Sequence, residues 1–194
     1  MSTAKGKTSG PGKRVILDGA AMERSIRRMS HEIIERSGNL DDVVLLAIPE
    51  GGVPLGKRIQ ACIQGVANVE VPLGTLDITL YRDDVATAGT SPNIRSSDML
   101  FDITGKRVIL VDDVLFTGRT TRAALDAIVA YGRPSSVQLA ALIDRGHREL
   151  PIKVDFVGKN VPTARQDKVH VEFSHDGNGE CVVIQEGEGD PCVS

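Results

Sequence analysis

Residues 108–128 read VILVDDVLFTGRTTRAALDAI. Four apolar residues, Val108 to Val111, predict a strand buried on both faces, and the pattern breaks at Asp112 and Asp113. Two carboxylates are therefore expected at the strand's carboxyl end, the edge at which open α/β sheets bind ligands. Thr117, Gly118, Arg119, Thr120 and Thr121 then lead into an apolar rhythm at Ala124, Leu125, Ile128 and Val129, which places the hydroxyls and the glycine where a helix begins. Exposed N–H groups and the positive end of the helix dipole favour a phosphate there. Carboxylates would repel a phosphate, but they accept hydrogen bonds from sugar hydroxyls or hold a magnesium ion. A ribose 5-phosphate, carrying both a diol and a phosphate, satisfies the two halves together. The segment is too short for a Walker A loop and has no G-x-G-x-x-G, so neither a P-loop nor a dinucleotide site is indicated.

A chain of 194 residues with 41% apolar content can bury one good core, and with no Trp and only six Phe or Tyr that core is aliphatic. No apolar run approaches the ~20 residues of a membrane span, and residues 1–13 lack a signal-peptide core, so a cytoplasmic protein without a membrane partner is expected. Cys62, Cys181 and Cys192 are too few and too scattered for a disulfide framework or a zinc site, and no protein-held metal is expected. The net charge of −3 is unevenly spread. Six acids and no Lys or Arg follow Val171, leaving 23 basic and 20 acidic side chains before it, a net of +3.

Residues 1–13 read as a disordered arm, 14–185 as one domain and 186–194 as an acidic flexible tail. Asp18 offers an N-cap for a helix to Ser37, with Met22, Ile26, Met29 and Ile33 on its buried face and Gly38 at its end. A strand is expected at 43–48, then Pro49, Glu50, Gly51 and Gly52, then a helix from Val53 to Gln64. A long strand is read through Leu76 to Tyr81, followed by a loop at 82–99 without apolar periodicity. Further apolar runs fall at 137–143, 154–157, 169–173 and 182–184. Alternating strands and helices make the class α/β with a mostly parallel sheet.

The 108–128 motif resembles the 5-phosphoribosyl-1-pyrophosphate (PRPP) signature of type I phosphoribosyltransferases. LDITLYRDD at 76–84 and GRPSSVQLAALIDRGHRELPIKVDFVGKNVPT at 132–163 further resemble the bacterial PyrR family of pyrimidine-operon RNA regulators and uracil phosphoribosyltransferases. The resemblance spans about residues 14–173. It implies a type I phosphoribosyltransferase fold, its parallel sheet flanked by helices and carrying a small hood, assembled as homodimers or higher oligomers. It further implies that Asp112 and Asp113 hold the ribose hydroxyls within a nucleotide-binding run continuing through Val114, Leu115, Phe116, Thr117, Gly118, Arg119, Thr120 and Thr121. Arg82 and the loop to about Met99 would close over PRPP as a catalytic flap, Mg2+ would arrive with PRPP, and uracil would lie under a hood near 144–152 and 157–160. UMP or UTP would modulate binding of an mRNA leader hairpin.

One departure stands at the pyrophosphate loop, Glu50, Gly51 and Gly52, where family members commonly carry an Arg-Gly step. A cation is missing and an anion is present, so weakened turnover with retained nucleotide binding is expected. The RNA reading rests on Arg27, Arg28 and His31, which share a helix side with Arg24, and on Arg145, His147 and Arg148. The helix side fits a phosphate grip, and equally a solvated face with Arg28–Glu32 and Glu32–Arg36 pairs. His147 fits either a structural hydrogen-bond partner or an RNA contact. Two rival readings remain: a nucleotide-sensing regulator with negligible catalysis, and a phosphoribosyltransferase without RNA regulation.

Overall fold

The computed structural model describes residues 13–81, 99–174 and 179–187. Its centre is a five-stranded parallel sheet in the order β3-β2-β4-β5-β6, formed by β2 (Val43–Ala47), β3 (Leu73–Thr75), β4 (Arg107–Leu115), β5 (Ser136–Asp144) and β6 (Phe156–Asn160). Period-two alternation splits its apolar residues into two cores. Val43, Leu45, Ile109 and Val111 face one side with α1 (Gly19–Ser37) and α2 (Gly52–Ala67), while Val44, Leu46, Val108 and Leu110 face the other with α3 (Arg119–Ile128). Burial on both faces is why these strands read as unbroken apolar runs.

The first helix forms as its sequence predicts. The Asp18 carboxylate accepts the Ala21 N–H at 2.8 Å, Met22, Ile26, Met29 and Ile33 are buried, and the Gly38 N–H closes the last turn on Ile34 O at φ +66°.

Three expectations are corrected. The strand read through 76–81 does not form: β3 ends at Thr75, and the Asp77 carboxylate accepts both the N–H and the hydroxyl of Thr79, folding the chain into a 3-10 turn at Thr79–Tyr81. β4 does not stop at Val111, because β5 runs beside it and pairs Asp112 with Ala141, Val114 with Ile143 and Leu115 with Asp144. The two acids are thus held by strand geometry on the sheet's last rungs. Residues 13–18, which carry no strand expectation, form β1 (Lys13–Asp18), and the segment expected at 154–157 forms β6 somewhat later.

The hood is an antiparallel sheet in the order β1-β8-β7, with β7 (Lys168–Glu172) and β8 (Cys181–Gln185). It shares a core with the main body, since Leu17, Val182 and Ile184 pack among Met22 and Ile26. The partly buried Arg58 of α2 meets the buried Glu180 beside β8 at 2.5 Å, and Lys159 Nζ donates to Ile16 O across the two sheets. Residues 144–152 and 157–160, expected in the hood, instead form the end of β5 with the loop leaving it and most of β6 in the main sheet. The loop at 82–98, with Arg82, lies outside the described residues, as do 1–12 and 188–194. No helix among the described residues is long and apolar enough to cross a membrane.

Candidate active site

The carboxyl end of β4 carries the acids. Asp112 is only 6% exposed, its Oδ1 accepts the Asp113 N–H at 3.0 Å, and Asp113 Oδ1 accepts the Val114 N–H at 2.9 Å. Burial pushes the Asp113 carboxyl above its ordinary aspartate value, and the hydrogen bonds with Asp112 and Val114 only partly oppose the shift. A buried carboxyl beside a second one is costly without a ligand. Ribose hydroxyls supply donors at such a place.

Beyond the acids the chain turns tightly. Gly118 takes φ +91° at the start of α3, a left-handed conformation that favours glycine, and an added Cβ would lie 3.2 Å from the Ile152 side chain. The Thr121 hydroxyl is buried with no hydrogen-bond partner among the described residues. An orphan hydroxyl beside the α3 N-terminus suits a phosphate oxygen. The carbonyls of Leu115, Phe116 and Thr117 face the other way: they accept from Arg145 N at 3.1 Å, Arg148 Nη1 at 2.7 Å, and Glu149 N and Leu150 N at 3.0 and 3.3 Å.

The Glu50–Gly52 loop closes the site from β2. Its Pro49–Glu50 peptide bond is cis, Glu50 is exposed, and the Ile48 N–H reaches Val111 O at 2.9 Å. A side chain on Gly51 would overlap the Asp113 carboxyl, and one on Gly52 would overlap the Val111 carbonyl oxygen. The two glycines therefore let the loop lie flat on the acid pair. The lost cation expected from sequence is thus accompanied by a steric fact that sequence did not reveal: an arginine at position 51 requires Asp113 to adopt another position.

Arg145, His147 and Arg148, expected as RNA contacts, are committed internally. Arg145 is 5% exposed, stacks 4.0 Å over the Phe116 ring and donates to Thr163 Oγ1, Ala164 O and Arg165 O; burial lowers its pKa. His147, at φ +61°, places Nε2 2.7 Å from Thr163 O. Arg148 binds the Asp144 carboxylate at 2.6 Å and donates to Ile152 O. Arg28 likewise turns to the Val157 and Gly158 carbonyls at 2.8 and 2.6 Å, besides its 3.8 Å pair with Glu32. Arg27 and His31 remain exposed and line a recess of about 450 Å³ with Arg58 and Cys62 of α2. A second recess of about 450 Å³ opens beyond β5 and β6, between Asp144–His147 and Asn160–Thr163.

Sequence reading missed Glu149, which bridges Arg119 at 2.8 Å and Arg165. The Arg119 hydrogen bond holds its carboxyl below the ordinary glutamate value. Thirty residues separate Glu149 from Arg119, so no local spacing announces the pair.

Residues 14–178 match the phosphoribosyl transferase domain. The bifunctional protein PyrR of Chloroflexus aurantiacus is 54% identical over 179 residues, 92% of this chain and 98% of that protein, and the bifunctional protein PyrR of Oceanobacillus iheyensis is 51% identical over 90% and 98%. The chain belongs to the PyrR family. Solved hypoxanthine phosphoribosyltransferases share the fold of this PyrR chain: that of Trypanosoma cruzi at a TM-score of 0.67, with 18% identity over 90% of this chain and 97% of that one, and the hypoxanthine-guanine enzyme of Bacillus anthracis at 0.62, with 19% over 81% and 86%. The PyrR match takes in both carboxylates, the turn at 117–121 and the Glu50–Gly52 loop.

Proposed function

We propose that this chain transfers the phosphoribosyl group of PRPP to uracil, giving UMP and diphosphate, and that it binds a leader hairpin of pyrimidine-biosynthesis mRNA in response to UMP or UTP. The observation that carries the reading is the pairing of a carboxylate dyad, Asp112 buried and Asp113 partly so, with a glycine-turned, N–H-lined loop on one strand end, in a chain of the PyrR family. Asp112 and Asp113 orient the ribose through its hydroxyls, while Thr117 to Thr121 hold the 5-phosphate at the α3 N-terminus. As the uracil N1–C1′ bond forms and N1 gives up its proton, the C1′–oxygen bond breaks and its electron pair leaves with pyrophosphate, which can carry that proton away. Positive charge then grows on the ribose above two fixed carboxylates, which is electrostatic stabilisation in a preorganised site. The dyad consists of hard oxygen donors of the kind magnesium accepts, and Mg2+ carried in with PRPP would supply Lewis-acid assistance to the leaving group.

Arg27 and His31 are the residues that best support the RNA reading, because they are exposed and face a common recess, whereas Arg28, Arg145 and Arg148 spend their donors on the fold. The setting is cytoplasmic and the assembly a homodimer or larger. Two assays test the whole: UMP formation from PRPP and uracil with Mg2+, and hairpin binding across a salt series with and without UMP. Salt-sensitive binding tightened by UMP supports regulation. Turnover without hairpin binding leaves an enzyme alone, and neither activity overturns both.

A second reading, regulation with negligible catalysis, is favoured by Glu50 and Gly51. Glu50→Arg separates it from the first, since Glu50 is exposed and the substitution replaces the loop's anion with a cation. The variant is expected to raise kcat/KM for UMP formation by about tenfold or more, as one restored charge contact to the leaving group is worth up to about two orders of magnitude. Comparable turnover in both proteins would show that the loop's charge does not limit the reaction.

A further inference from the structure

We infer that Glu149 is a positioning residue for the 5-phosphate, gripping the turn at 117–121 on both sides of Gly118 and holding it in the shape that receives the anion; this rests on the phosphoribosyltransferase reading above. Gly118, at φ +91°, has the greatest backbone freedom in the turn, and the N–H groups that follow it present a ready seat to a phosphate only when that freedom is quenched beforehand. One residue reaches both of its neighbours. The Glu149 N–H donates to Thr117 O at 3.0 Å, and the Glu149 carboxylate accepts from Arg119 Nε at 2.8 Å. Within the turn itself the Thr117 hydroxyl oxygen accepts only a long bond from the Arg119 N–H, at 3.4 Å.

The charge of Glu149 runs against a simple binding role. A carboxylate beside an anion seat repels the anion, and an isolated exposed ion pair contributes little. Here the carboxylate is shared between two guanidiniums, since Arg165, in the loop after β6, binds its other oxygen. Arg165 is rooted in turn: its carbonyl accepts from the buried Arg145 at 3.3 Å, and the Arg145 guanidinium lies over the Phe116 ring, one residue before the turn. The negative charge is thus balanced within the protein, and the hold on Arg119 belongs to a network whose far end is fixed in the fold.

The test uses the full-length protein, with ribose 5-phosphate as the probe. Charge and position predict opposite signs. A carboxylate acting through its charge alone would make Glu149→Ala tighten ribose 5-phosphate, most strongly at low salt. The positioning role predicts binding about tenfold weaker by calorimetry at low and high salt alike and KM for PRPP about tenfold higher, with kcat and KM for uracil within about twofold, because the 5-phosphate is held equally in the ground and transition states. Arg119→Ala should cost a similar factor, and the double variant no more than Arg119→Ala alone, as for two groups acting through one contact. Unchanged or tighter binding by Glu149→Ala, losses that multiply in the double variant, or a KM rise shared equally by uracil and PRPP overturns the assignment. A wild-type protein that binds ribose 5-phosphate but forms no UMP overturns the uracil reading instead and leaves calorimetry to decide on Glu149, whereas one that does not bind ribose 5-phosphate overturns both.

Discussion

Asp113→Asn is expected to lower kcat/KM for UMP formation by about a hundredfold while raising the melting temperature of the ligand-free protein at neutral pH. The first effect follows from losing one charge-assisted contact to a ribose hydroxyl and a negative charge beneath the developing cation, about 3 kcal/mol together. The second follows from the desolvation cost of ionising a partly buried carboxyl beside Asp112. Because the folded pKa lies above the unfolded one, wild-type stability is greatest below the ordinary aspartate value and falls as pH rises through the folded value. Asparagine keeps an Oδ1 to accept the Val114 N–H and never ionises. The stability gain should therefore be present at pH 7 and vanish on acidification below the ordinary aspartate range. Thermal melts across pH, beside steady-state assays, check both halves. A variant less stable than wild type at pH 7 would refute the burial cost, and a loss of turnover under threefold would refute the ribose role.

Gly52→Ala carries the largest expected effect on the fold. The new methyl would overlap the carbonyl of Val111, a backbone oxygen on a strand clamped between β2 and β5 and already accepting the Ile48 N–H. Neither group can give way as a side-chain tip would, so overpacking of about 3 kcal/mol is expected, lowering the melting temperature by roughly 6–12 °C for a chain of this size. The loop should also lift from the acid pair, with turnover falling further than stability alone explains. Gly65→Ala on the same helix is the control: an added Cβ there meets nothing within 4 Å, and helix propensity predicts a gain of up to about 1 kcal/mol. Equal melting temperatures for the two variants would show that the loop is not pinned to β4 at Gly52.

The elements nearest the chemistry were the most legible. Val108 to Val111 and the threonine-glycine turn declare a buried strand and a helix start by composition alone, and the first helix announces its cap, its buried stripe and its glycine end. β1 was not legible: six residues beside a glycine- and lysine-rich arm carry little pattern, and their partner β8 lies at the opposite end of the chain. The segment 76–81 misled because its alternation is that of a strand, while the Asp77 carboxylate offers the backbone a local turn that periodicity does not register. The internal hydrogen bonding of Arg145 and Arg148 was not legible for a related reason. Their partners are mostly carbonyl oxygens, which carry no sequence identity. The break in the apolar run located the acids and the resemblance the loop, but only the folded structure shows that a side chain at Gly51 and the Asp113 carboxyl would compete for one volume.

The three carbonyls from Leu115 to Thr117 are all claimed by residues 145–150. With those lone pairs occupied by the protein's own donors, that short stretch of backbone turns its acceptors inward, away from any ligand. The DRGHREL segment acts as the counter-mould of the turn: by absorbing its negative ends it leaves the seat at α3 one-sided in polarity, receptive to an anion before any cationic side chain is brought to it.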